Sequence, residues 1–167
     1  MTLNLPEWYT TPGFHDVEKL ILDYFDWILP TVYCGTAIPD GWWSPDVDPS
    51  KLPEAVLRVW RMPGRADPQI PEDEALVNIA ALSRNRQESW RLNGFVRDVM
   101  RVLPGLKVPR AEGGVTVVDT VSEWVGPSQR PEAFIDDKFV DTTFRLSLGM
   151  RRIKPDYRQV IKTLPTP

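Results

Sequence analysis

The sequence predicts an α+β domain: a single antiparallel sheet of about four strands with two helices packed on one face. Three observations predict it. First, the seventeen prolines avoid two long stretches, 72–103 and 132–154. Proline cannot donate to a helix or a sheet ladder, so those gaps mark the most regular structure. Second, two segments repeat apolar residues at helical spacing, and the segments around them alternate at strand spacing. Third, the links between neighbouring strands are short, which favours antiparallel pairing and a sheet with its helices on one side.

The elements follow in order. Residues 1–14, with Pro6 and Pro12, read as an irregular arm. Across 16–29, Val17, Leu20, Ile21, Tyr24, Phe25 and Ile28 fall at offsets 0, 3, 4, 7, 8 and 11, one stripe of a helix that Pro30 ends. Residues 31–38 read as a short strand, and 39–53 as a loop rich in proline, aspartate and tryptophan. A strand over 54–62 sets Ala55, Leu57 and Val59 against Val56, Arg58 and Trp60, and Pro63 with Gly64 breaks it before a polar loop over 63–73. The strand over 74–82 is apolar on both faces, apart from Asn78, and so should be central.

A second helix spans 86–103. Leu92, Phe95, Val96, Val99, Met100 and Leu103 repeat the offsets of the first. Residues 105–114, with Gly113 and Gly114, read as a loop. A third strand covers 115–125, a loop 126–137, and a long fourth strand 138–152, part of which should project beyond the domain. The expected organisation is an arm (1–14), one domain (15–154) and a short tail (155–167).

Composition narrows the function. The chain of 167 residues has ordinary apolar and charged shares and is long enough for one core. It has no apolar run of about 18 residues to cross a membrane and no basic-then-apolar N-terminal leader. A net charge of −3 with no basic block makes a poor nucleic-acid binder. The single Cys34 has no internal disulfide partner, and His15 is the single histidine, so neither a disulfide framework nor a zinc site is expected. Phosphate-loop and serine-hydrolase motifs are absent, and no cofactor is expected. Acidic loop residues leave one enzymatic reading open, a small metal-dependent hydrolase using Asp73 or Asp137.

Two features point to protein contacts instead. On the second helix, Trp90, Gly94, Arg97 and Arg101 lie at offsets 0, 4, 7 and 11, away from the apolar stripe. Water should meet a polar surface there. The helix offers a tryptophan, two arginines and a glycine that lets another backbone approach. The adjacent Trp42 and Trp43 follow Gly41 in a loop, where one can pack under the sheet while the other meets a neighbour.

The order of segments over about 16–152 resembles the tail-terminator proteins of long-tailed bacteriophages, particularly those infecting mycobacteria and their relatives. The resemblance rests on the first helix ending Trp27, Ile28, Leu29, Pro30, and on the stretch Gly35, Thr36, Ala37, Ile38, Pro39, Asp40, Gly41, Trp42. Leu52 and Pro53 then lead into Val56, Leu57, Arg58 and Val59. Val77, Asn78 and Ile79 lead to Ser83 and Arg84. Val118 and Asp119, Gly126 and Pro127, and a closing strand ending near Arg151 complete it. The pattern departs at Ala37, where a basic residue is usual, and at Pro63 with Gly64, where a glycine pair is common.

The resemblance implies a structural virion protein and no enzyme. It implies a homohexameric ring on the head-proximal end of the tail tube, assembled in the host cytoplasm, which stops tube growth and presents a surface for head joining. The implied partners are further copies of the chain, the tail tube protein and the head–tail connector protein, with genomic DNA passing through the lumen unread. Another neck or connector protein is the neighbouring alternative. Trp90, Gly94, Arg97, Arg101, Trp42 and Trp43 are the expected contact residues.

Overall fold

The computed structural model describes residues 6, 7, 9, 14–42, 44, 46–67, 72–129, 138–149 and 157–164. The first helix is α1 (Val17–Ile28), where Asp16 caps the N-terminus by accepting from the Lys19 amide at 3.0 Å. Strands β1 (Tyr33–Gly35), β2 (Ala55–Asp67) and β3 (Glu72–Ser83) follow, with a single 3-10 turn (Pro49–Lys51) before β2. Helix α2 (Arg86–Val102) is capped by Asn85, whose side chain accepts from the Glu88 amide. Then come β4 (Lys107–Pro109), β5 (Val115–Val117), β6 (Thr120–Gln129), β7 (Phe139–Gly149) and α3 (Tyr157–Thr163).

The α+β class holds, but the four-stranded antiparallel sheet does not. The sheet has five strands in the order β1-β2-β3-β7-β6 and is mixed, because β1 pairs parallel to β2. The physical reason is the connection. A parallel pair needs a long crossover, and the proline-rich segment between β1 and β2 supplies one. β4 and β5 form a separate hairpin where a loop was expected, with the turn made by Gly113 and Gly114 at φ of +96° and +82°. The long third strand divides into β5 and β6. The fourth is β7, eleven residues paired along its length with β3, so none of its described residues projects from the sheet.

The expected break at Pro63 and Gly64 is a β-bulge inside β2, between Met62 and Arg65. A Cβ on Gly64 would collide with the Glu74 carbonyl oxygen, so only glycine lets β2 pass β3 there.

Both helices pack on one face, as expected. Val17, Leu20, Ile21, Tyr24 and Phe25 of α1 join Val96, Met100 and Leu103 over Leu57, Val59, Val77, Ile79, Phe144 and Leu146 in one core. A smaller core lies on the opposite face, where Trp42 packs on Val56, Ala80, Leu82 and Phe139. β3 is central and feeds both cores, the reason it is apolar on both sides. The β4–β5 hairpin grips α1 through a nearly buried ion pair: Arg110 Nε lies 2.8 Å from Asp23 Oδ2.

The stripe expected on α2 is turned. Its buried residues are Ser89, Asn93, Val96 and Met100, while Phe95 is 36% exposed. Hydrogen bonds set this rotation. The Ser83 amide donates to Ser89 Oγ at 2.9 Å, and Asn93 Nδ2 donates to Thr142 Oγ1 at 3.0 Å. Two polar side chains with partners in the sheet thus take the inward positions. The rotation carries Phe95 to the α1 side and brings Trp90 and Arg97 over β6.

Candidate assembly surface

β6 ends the sheet, and among the described residues no strand pairs with its outer edge. Its side chains are mostly exposed, Trp124 at 54% and Val125 at 50%. The strand shifts register twice against β7, between Glu123 and Val125 and between Val125 and Ser128, so Trp124 and Val125 stand on an irregular, twisted edge. Beyond the bulges the strand is pinned again. Ser128 Oγ donates to the buried Asp141 carboxylate at 2.6 Å, and Asn78 Nδ2 donates to the same carboxylate at 3.0 Å.

One flank of α2 runs beside this edge. Arg97 grips Glu123 of β6 through two contacts of 2.8 and 3.2 Å, and Arg86 reaches Gln129 at 3.5 Å. The Glu123 carboxylate holds the Arg97 guanidinium above its ordinary pKa, chiefly by this hydrogen bonding. Trp90 is 37% exposed with Arg86 at 5.7 Å from its ring, and Arg101 is exposed in the last turn. A Cβ on Gly94 would meet nothing within 4 Å, so the space above that glycine is open. On the other face of the sheet, the Arg145 guanidinium stacks 3.8 Å from the Trp124 ring. An open strand edge therefore runs between two tryptophans, each with an arginine against it.

Of the residues singled out in the sequence, Trp90, Gly94, Arg97 and Arg101 share this flank. Trp42 does not. It is 7% exposed in the smaller core across the sheet, with Arg84 stacked 4.6 Å from its ring. Trp43 lies outside the described residues. Sequence reasoning missed Trp124, Val125 and Arg145. Trp124 was visible as an aromatic residue in a strand, but no local signal says which strand ends the sheet.

Arg61 Nη2 holds both oxygens of Asp73, at 2.9 and 3.1 Å, and Asp137 lies outside the described residues. Among the described residues no three His, Cys, Asp or Glu side chains gather as a metal site. Burial, with the nearby Asp26 charge, pushes the Cys34 thiol up to about 12, which keeps it protonated and unreactive near neutral pH. No helix among the described residues is long and apolar enough to cross a membrane.

A family model described as phage tail termination protein matches residues 13–155. A search of curated proteins gives no match.

Proposed function

The chain belongs to the phage tail termination protein family, and from that premise we propose that it terminates the tail as one subunit of a closed ring, probed most directly at the β6 edge. The role as a structural tail protein of a bacteriophage virion follows from the family. The ring, its place at the head-proximal end of the tube, and its contacts with the tube and the head connector are our reading. The observation that carries it is the edge of β6, unpaired among the described residues and flanked by Trp90 and Trp124. A bare strand edge is a template for another chain, and tryptophan and arginine are the side chains that most often dominate interface energy.

The ring works by geometry. One face matches the end of the tube, and the other lacks the docking surface that a further tube subunit needs, so polymerisation stops. Trp90, Gly94, Arg97 and Arg101 line the seam between copies. Trp42 anchors its loop from inside, and Trp43 remains an expected contact with a neighbouring copy. A hexamer of chains at −3 each would repel DNA from its bore and let it pass unread. Electron microscopy of tails assembled without this protein tests the role. Overlong tubes support termination, whereas tails of normal length that fail to join heads reject it in favour of a connector.

A further inference from the structure

The two helices carry stripes of opposite charge, one on each side of the domain. On α1, Glu18, Leu22 and Asp26 are spaced four residues apart and share a face. Glu18 accepts from the Arg61 amide at the outer edge of β2, so this stripe runs along the β1 side of the helix layer. On α2, Arg86, Trp90, Gly94, Arg97 and Arg101 form the stripe on the β6 side, where Arg97 holds Glu123 and Arg86 reaches Gln129.

The sheet sets the two stripes in register. Arg61, Val77, Phe144 and Glu123 form one row across the strands, with Glu18 at its β1 end and Arg97 at its β6 end. Cys34, Leu57, Ala81, Val140 and Gln129 form another, and Arg86 stands at its β6 end. Asp26 lies at the opposite end, where burial and then the Asp26 charge raise the Cys34 thiol. Each row thus ends in a carboxylate on one side and an arginine on the other. The rows are about 14 Å apart along the strands. Glu18 to Asp26 spans about 12 Å of helix and Arg86 to Arg97 about 17 Å, so both stripes match the rows within a side chain's reach.

Asp26 and Arg86 also sit where their own helices disfavour them. A helix is partially positive at its N-terminus and partially negative at its C-terminus. Asp26 is in the last turn of α1, which has no basic residue, and Arg86 opens α2. Both are exposed, and neither forms an ion pair among the described residues. An opposite charge from another chain would correct both ends at once.

We propose that copies join head to tail, the α2 flank of one against the α1 stripe of the next, with Arg86 facing Asp26 and Trp90 covering Leu22. This rests on the reading of the protein as a ring former and gives the Trp90 seam its second half. Two α1 stripes, or two α2 flanks, would bring like charges together, so the charges select the head-to-tail contact that closes when the rotation fits.

The test uses full-length chains with the two charges reversed, Asp26→Arg and Arg86→Asp. Each new charge suits the helix end it occupies, so thermal melts should stay at or slightly above those of the unmodified protein. In sedimentation velocity, with tail tubes added where the unmodified chain needs them, each single variant should self-associate at least about tenfold more weakly, because like charges then face each other. The double variant Asp26→Arg/Arg86→Asp should recover the unmodified strength. A double variant no stronger than the singles, or either single associating like the unmodified chain, overturns the contact and leaves the ring reading standing. Singles that self-associate normally but no longer bind tail tubes assign the stripes to the tube protein and overturn it too. An unmodified chain that stays monomeric with and without tubes overturns the ring reading itself, and this inference with it.

Discussion

The two edges of the sheet are treated in opposite ways. At the β2 edge, β1 covers the stretch from Val56 to Arg58, and Arg58 Nε donates to the Thr36 carbonyl at 3.2 Å, latching the departing chain. Farther along, the Arg61 amide donates to the Glu18 carboxylate of α1 at 2.9 Å, so a side chain stands where another strand would pair. At the β6 edge nothing comparable occurs among the described residues. Ten residues present an unpaired edge with Trp124 and Val125 uncovered. A bare edge is an aggregation hazard, and the edge that β6 presents is much longer than that of the three-residue β1 at the other end of the sheet. Exposure alone would not distinguish the two sides; the fate of their backbone amides does.

The largest expected effect comes from loosening the helix that guards the β2 edge. Arg110→Ala leaves Asp23 buried beneath the hairpin without its counter-charge, and chemical denaturation should show a loss of about 3–5 kcal/mol. Recovery of stability in Arg110→Ala/Asp23→Leu would assign that loss to the unpaired carboxylate. Glu18→Ala strips the β2 edge directly. It should cost about 1 kcal/mol, speed exchange of the Arg61 amide, and increase aggregation on mild heating. If that amide exchanges at its original rate, the edge is guarded by something other than Glu18.

At the open edge, Arg97→Glu sets a second carboxylate beside Glu123 and should destabilise by about 1 kcal/mol, since the pair is partly exposed. Adding Glu123→Arg restores the pair within the chain. If self-association remains weak in that restored variant, Arg97 also contacts a neighbour; if it returns fully, its role is internal. The smallest effect on stability is expected for Val125→Lys, under about 0.5 kcal/mol, because the side chain is already half exposed. A charge on a strand edge opposes pairing, so self-association should fall while the melting curve stays put. Unchanged association would remove β6 from the seam.

The sequence by itself determined the identity of most elements. The 3.6-residue stripe of α1 and the two apolar faces of β3 arise from local spacing, which any chain of that pattern shows before it packs. It also disclosed the flank of α2 that carries Trp90, Gly94, Arg97 and Arg101, because those offsets depend only on helical geometry. Only the tertiary structure decided which residues that helix turns inward. Asn93 displaces Phe95 because its partner, Thr142, lies on β7, far along the chain, and no local count of hydrophobic residues includes a hydrogen bond made across the fold; Ser89 adds a nearer bond to the end of the preceding strand at Ser83. The same reason hid the parallel β1, the burial of Trp42 and the exposure of Trp124. Strand order is a property of which segments meet, and a residue's burial at an edge or centre is inherited from that order.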